Sequence, residues 1–366
     1  MAARAGCPAG GGGRRWAATL ERVILPNGGG EAMTAVEKSC ATPWLSVILT
    51  VHDRNHWLGE ALRSLADQHD DAIEVIAVDG SETDTGWRII NGFADRLNLR
   101  PARRRDLQSQ TEKINFGVAA ARADWISILH DDDFWMPSRA AALKTWIATA
   151  PDAVMHLHPS YVVDGSGRRF GVWRCPLPVT PSPAPRDALL RRLLVQNFIS
   201  APAPVIRRAA FLRVGGMDEA LWFAPDWDLY LKLAPLGAVY YHPEPLTGYR
   251  VHPQALTIRS SQDAPIFRRQ YEIVLNRHLG ELGLSDCGRL VRAGQASIDV
   301  NVALAAAVRG NYAEIPRALV SLLRLGPNGL REYFIASRII DRALPRLQAL
   351  LAARLHAQSQ LITALP

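Results

Sequence analysis

The chain has 366 residues, 48% hydrophobic and 21% charged, an ordinary globular composition with room for one large domain plus an appendage, or for two domains. Its formal charge of +7 comes almost wholly from arginine, since the only lysines are Lys38, Lys113, Lys144 and Lys232. No basic stripe interleaved with aromatics argues for nucleic acid. The cysteines, Cys7, Cys40, Cys175 and Cys287, form no CxxC pair and so suggest neither a zinc site nor a disulfide framework.

Residues 1–42 are Gly/Ala-rich, with GGGG at Gly10 to Gly13, and are expected to be disordered because they cannot bury enough apolar surface to offset ordering entropy. Met33 reads as an alternative start. WLSVILTV, Trp44 to Val51, is a continuous apolar run of the kind that belongs to a sheet covered on both faces. A helix is predicted over Asn55 to Gln68, with Asn55 as N-cap and Leu58, Leu62 and Leu65 at helical spacing. AIEVIAVDG is a second buried strand ending at Asp79, followed by a helix over Thr83 to Leu97. Gln110 to Ala123 reads as a third helix, with Lys113 and Asn115 on a solvated face, and DWISILH as a further strand. Alternating strands and helices argue for a mostly parallel α/β sheet, in which ligands bind at the carboxyl ends of the strands. Those ends carry His52 to Asn55, Asp79 to Asp84, and His130 to Asp133.

Beyond Pro151 the pattern changes. HLHPSYVVDGSGRRFGVW reads as a hairpin with DGSG at its turn, CPLPVTPSPAPR as a Pro-rich connection, and APVIRR as a short strand before a helix and the turn GGMDE. APDWDLYLKLAPLG begins an amphipathic helix at Asp226, and everything from Ala264 onward reads as helix. No apolar run approaches the ~18 residues a membrane span needs, and the N-terminus lacks a signal-peptide apolar core. The expectation is a cytoplasmic protein whose membrane contact, if any, is peripheral at the inner face.

Three consecutive aspartates at the end of a strand repel one another by roughly 1 kcal/mol per close pair even in water. A divalent cation carrying a diphosphate would offset that repulsion: a hard ion, oxygen ligands, and coordination completed by phosphate and water.

WLSVILTVHDRNHWLGEALRSLADQ, AVDGSETDT, KINFGVAAARADWISILHDDDFWMP, GGMDE, APDWDLYLKLA and PLTGYRVH stand in the order seen in family 2 glycosyltransferases, which this chain resembles from about Trp44 to His252. The resemblance implies a GT-A type, Rossmann-like, mostly parallel sheet flanked by helices, with a C-terminal helical appendage. It implies an inverting transferase, a nucleoside-diphosphate sugar donor, most simply a UDP-sugar, and Mn²⁺ or Mg²⁺. By resemblance, Thr50, Val51 and Asp53 hold the nucleotide, Asp79 the base and Asp131 the ribose. Asp132, His252 and His130 correspond to metal-binding positions of the DxD motif and its partner, and Asp226 to the catalytic base. His130 replaces the usual first Asp, and Pro225 the Glu that usually precedes the base.

The expected division is a disordered 1–42, a transferase domain over 43–258 (nucleotide half 43–135, acceptor half 136–258), and a helical region over 259–366. The acceptor is expected to be a glycan or lipid-linked glycan in cell-surface synthesis, the basic tail hinting at a membrane surface. Trp135 and Trp227 read as core residues rather than sugar platforms. Two alternatives stand beside this reading: a degenerate binding protein, and a sugar nucleotidyltransferase, although HDRNHWLG lacks the glycine-rich triphosphate loop the latter needs.

Overall fold

A computed structural model describes residues 42–53, 55–252, 254–255, 263–282, 287–307, 310–345 and 347–348; the Gly/Ala-rich segment expected to be disordered lies almost entirely outside them. A seven-stranded sheet runs in the order β10-β6-β9-β4-β1-β2-β3, with β1 at Leu45–Val51, β2 at Ile73–Asp79, β3 at Asn98–Arg103, β4 at Trp125–His130, β6 at Met155–Leu157, β9 at Val205–Arg207 and β10 at Val239–Tyr241. All the pairings are parallel except those of β9, which runs against both β4 and β6. β1 and β2 are buried at every position, as their unbroken apolar runs require. A second, four-stranded sheet has the order β5-β11-β7-β8, built from Phe134–Trp135, Thr247–Arg250, Ser160–Val163 and Arg169–Trp173.

Helices α1 (Leu58–Ala66), α2 (Thr85–Asn91), α3 (Gln110–Ala120) and α4 (Arg139–Thr149) connect the first strands. α5 (Arg186–Val195), α6 (Arg208–Arg213) and α7 (Pro225–Leu233) follow, then α8 (Ala264–Glu281), α9 (Gly288–Ala307), α10 (Ile315–Leu323) and α11 (Gly326–Ser337). One apolar cluster joins Ile48, Ile76 and Ile128 of the sheet to Leu193 of α5, Leu229 of α7, Val274 of α8 and Ile298 of α9, so the C-terminal helices share the core of the sheet.

Several elements differ from the sequence expectation. α1 begins at Leu58 with Trp57 before it, so Asn55 is not its cap. β3 was not among the expected strands; it contains Pro101 and lies at the sheet edge, where a sheet tolerates proline. The expected hairpin is real over β7 and β8, but its first residues form β6 of the other sheet.

Candidate active site

Register brings the strand ends together. Thr50 lies opposite His130 and Val51 opposite Asp79, so three loops meet at one carboxyl edge. Thr50 Oγ1 and His130 Nδ1 are 3.0 Å apart. The Val51 carbonyl accepts from the Gly80 amide at 3.1 Å and from Lys113 Nζ at 3.2 Å, so it is committed within the protein. The Asp131 carboxylate accepts from the His52 amide at 3.2 Å.

Asp79 is completely buried. Its Oδ1 accepts from the Ser81 amide at 2.9 Å, while Oδ2 meets no hydrogen-bond partner among the described residues. Asp53 has a left-handed backbone (φ 52°), its amide donates to Ser81 Oγ, and its carboxylate faces the amides of Glu82 and Thr83. Burial works against its charge, but those amides and the Thr83 hydroxyl hold the carboxyl below its usual range.

Lys113 and Asn115 do not lie on a solvated face. Both are buried, Lys113 completely, because α3 is enclosed on nearly every side. Lys113 Nζ also lies 3.1 Å from His52 Nδ1 and lines the cleft. A Cβ at residue 80 would stand 2.6 Å from Nζ, so only Gly80 admits this ammonium group to the strand ends. Asn115 brackets the GGMDE turn, its Nδ2 donating to the Met217 carbonyl at 2.9 Å and its Oδ1 accepting from the Met217 amide at 3.0 Å. Gly215 and Gly216 take φ of 79° and 65°, a conformation that suits glycine.

The acidic run is braced by a cation that was not among the expected site residues. Arg250, at the end of β11, donates from Nε to the Asp132 carbonyl at 2.8 Å and from its amide to Asp133 Oδ1 at 2.9 Å. Its Nη1 reaches the carbonyls of Asp164 and Gly165, and its Nη2 the carboxylate of Glu60. Burial, and then the charges of Asp132 and Asp131, push the Asp133 carboxyl well above the usual range against the pull of Arg250. The arginine precedes His252 by two residues in YRVH, so the motif carried the signal.

His252 Nε2 stands 3.1 Å from Asp132 Oδ2, in a ring packed 4.2 Å from Trp57; its Nδ1 is buried without a hydrogen-bond partner among the described residues. His130 does not join this pair: among the described residues no three His, Cys, Asp or Glu side chains form a group that could hold a metal by themselves. The donor set of one carboxylate and one imidazole fits Mn²⁺ or Mg²⁺ when phosphate and water complete the shell.

Asp226 opens the first turn of α7, after Pro225 at a position where a proline's missing amide costs nothing. Asn197 Nδ2 donates to its Oδ2 at 3.0 Å and the Trp227 amide to its Oδ1 at 2.8 Å. Burial raises its carboxyl to about 6, the two hydrogen bonds opposing the shift. Trp135 and Trp227 are both 2% exposed; Trp135 is away from the cleft, whereas the buried Trp227 borders it together with Trp222 and Phe223. Asp132, Lys113, His130, Asn197 and Asp226 all border one cleft of about 950 Å³. A carboxyl poised near neutral pH thus shares a cavity with Asp132, although His252, the other member of the candidate cation pair, is not among the residues that line it.

The sequence profile described as "Glycosyl transferase family 2" matches residues 46–213. An uncharacterized glycosyltransferase of Haemophilus influenzae is 28% identical over 57% of this chain and 68% of its own length. An uncharacterized glycosyltransferase of Nostoc sp., alr2836, is 24% identical over 57% of this chain and 65% of its own. The chain thus spans about two thirds of the length of these relatives. Among solved structures, S. aureus TarS aligns at a TM-score of 0.48 with 16% identity, covering 79% of this chain and 54% of that one. The Pyrobaculum calidifontis mannosyltransferase PcManGT, solved with GDP-Man and Mn²⁺, aligns at 0.45 with 15% identity over 90% and 94%. The ends of β1, β2 and β4 and the acidic run fall inside the matched residues, so residues 46–213 read as a glycosyl transferase family 2 domain, similar to proteins named as glycosyltransferases.

Proposed function

We propose that the chain is an inverting, metal-dependent glycosyltransferase that moves a sugar from a nucleoside-diphosphate sugar, UDP-linked in the simplest case, to an acceptor hydroxyl. The observation that carries this reading is the opening of Asp132 and Asp226 onto one cleft. In this reading Asp132 and His252 hold a Mn²⁺ or Mg²⁺ ion, which when bound stabilises charge developing on the diphosphate leaving group. His130, on the same cleft wall, is the third proposed ligand and the one its bond to Thr50 supports least.

Asp79, with one buried oxygen left to accept, suits a base N–H such as that of uracil. Thr50, Val51, Asp53 and Asp131 shape the nucleotide pocket, the Val51 carbonyl and the Asp53 carboxylate acting through the loops they tie together. Lys113 supplies positive charge beside the diphosphate. Asp226 takes the acceptor's proton, and Asn197 fills the supporting place that Pro225 leaves vacant. We extend the proposal to a transferase domain at 43–258 with a helical region after it, and to a glycan or lipid-linked glycan acceptor in cell-surface synthesis at the cytoplasmic side of a membrane.

The test is release of the matching nucleoside diphosphate (UDP, dTDP or GDP) from a panel of UDP-, dTDP- and GDP-sugars with Mn²⁺ and with EDTA. Metal-dependent release that Asp132→Asn abolishes supports the reading. Binding with no turnover in the wild-type protein, the same as in Asp226→Asn, identifies a degenerate binding protein instead. If no nucleotide sugar binds with Mn²⁺ present, the reading fails.

A further inference from the structure

Fourteen large hydrophobic side chains stand exposed among the described residues, and ten of them fall between Leu304 and Leu347. Such clustering on one stretch of chain is unlike the scattered exposure of an ordinary surface. The spacing explains it. On α10, Leu319, Val320 and Leu323 follow Pro316 at intervals of three, four and seven, one face of a helix, and they are 54%, 44% and 73% exposed. The opposite face is spent on packing: Ala318 is buried, and Arg317 Nε and Ser321 Oγ bond the buried Asp299 of α9. On α11, Tyr333 and Ser337 turn inward while Phe334 and Ile335 are 45% and 51% exposed. Beyond α11, Ile340, Leu344 and Leu347 repeat the pattern at intervals of four and three. In sequence the same spacing runs on to Leu351 and Leu355.

The charge bordering this face is of one sign. Residues 315–345 contain five arginines and only two acids. Arg317 and Arg338 are paired with Asp299 and Asp341. Arg324 and Arg331 are exposed, and no described acid pairs with either. Arg324 lies four residues from Val320, and Arg331 three and four residues from Phe334 and Ile335, so both guanidinium groups border the apolar stripe. A stripe of Leu, Val, Ile and Phe bounded by unpaired arginines is what a helix lying in the interface of an anionic bilayer presents.

We propose that α10 and α11, with the helical residues that follow, form a docking surface for a membrane carrying anionic lipid. The surface takes the headgroup phosphates on Arg324 and Arg331 and the acyl boundary on Leu319, Leu323, Phe334 and Ile335. It gives a physical basis to the lipid-linked acceptor proposed above. The binding itself needs neither donor nor acceptor, so a failed docking test leaves the transferase reading standing, and the reverse holds equally.

The test is co-sedimentation of the full chain with phosphatidylcholine vesicles, with and without phosphatidylglycerol. Binding is expected only with phosphatidylglycerol and is expected to weaken as salt rises. Arg324→Glu/Arg331→Glu should lower the bound fraction by at least about tenfold. Leu323→Glu/Phe334→Glu should do the same, and both variants should keep the wild-type thermal transition. Absence of binding to phosphatidylglycerol vesicles overturns the proposal. So does binding that neither pair of substitutions weakens. A wild-type dimer in light scattering, split by Leu323→Glu/Phe334→Glu and unable to bind vesicles, also overturns it and gives the face to a second copy of the chain.

Discussion

Asp226 is a carboxyl held near the point of titration, and its neighbours set where that point falls. In the proposed role of base Asp226 works only when deprotonated, and burial raises this group to about 6, so kcat/KM should fall as pH drops through about 6. The Asn197 amide favours the charged form. Asn197→Ala should therefore move that acidic limb upward by roughly one pH unit, the worth of a hydrogen bond to a charged group. A pH–rate profile of both proteins checks the shift, and an unmoved limb would remove Asn197 from the base's support. Asp226→Asn should lower turnover by about 10²–10⁴-fold with the thermal transition retained. Lys113→Met keeps the length of the side chain but removes its charge. It should weaken nucleotide binding, measured by calorimetry with UDP, more than it lowers the melting temperature. Neither Lys113 nor Asn197 was legible as a cleft residue beforehand: one was read as solvated surface, and the other stands in a stretch, VQNFIS, without a pattern.

At the scale of elements, the long signals were readable and the short ones were not. β1, β2 and β4 announce themselves as apolar runs whose ends carry the acids, and the register then places those ends side by side. β10 and β11, of three and four residues, are too brief for alternation to show, although β11 carries the arginine that braces the acidic loop. α3 misled for a different reason. Its sequence, QTEKINFGVAA, mixes polar and apolar residues around the whole helix, and periodicity is informative only when one side faces water. A helix enclosed all round turns its polar residues into interior ties, and Asn115 is one. Asn115→Ala frees the Met217 turn from its bracket. It should lower the melting temperature, since it leaves a buried amide and carbonyl without partners at a cost of about 1–3 kcal/mol each, as differential scanning calorimetry would record.

For the molecule as a whole, the sequence indicated a helical tail but not how firmly it is joined to the rest. Asp228 of α7 is wholly buried and meets His278 and Arg277 of α8 as well as Lys232. Burial opposes its charge, yet the His278 hydrogen bond and the Lys232 ammonium hold it down at about 2. A carboxyl depressed on folding contributes stability above its unfolded value of 3.8, and that stability is lost as pH falls through about 2. Asp228→Asn should therefore melt several degrees below wild type at pH 7, with the difference narrowing between pH 4 and pH 2. A chain ended at residue 258 should not fold well, since it would strip α8 and α9 from the core shared with Leu193 and Leu229.

Arg250 makes five hydrogen bonds that pin the acidic loop, the β7–β8 turn and Glu60 to one strand, and His252 follows two residues later. A shift of the backbone at His252 away from Asp132 would strain that anchorage. The receiving geometry is therefore assembled before a donor arrives, and little ordering entropy remains to be lost on capture. Calorimetry of nucleotide binding should accordingly show a small heat-capacity change, the signature of a ligand entering a cradle already set.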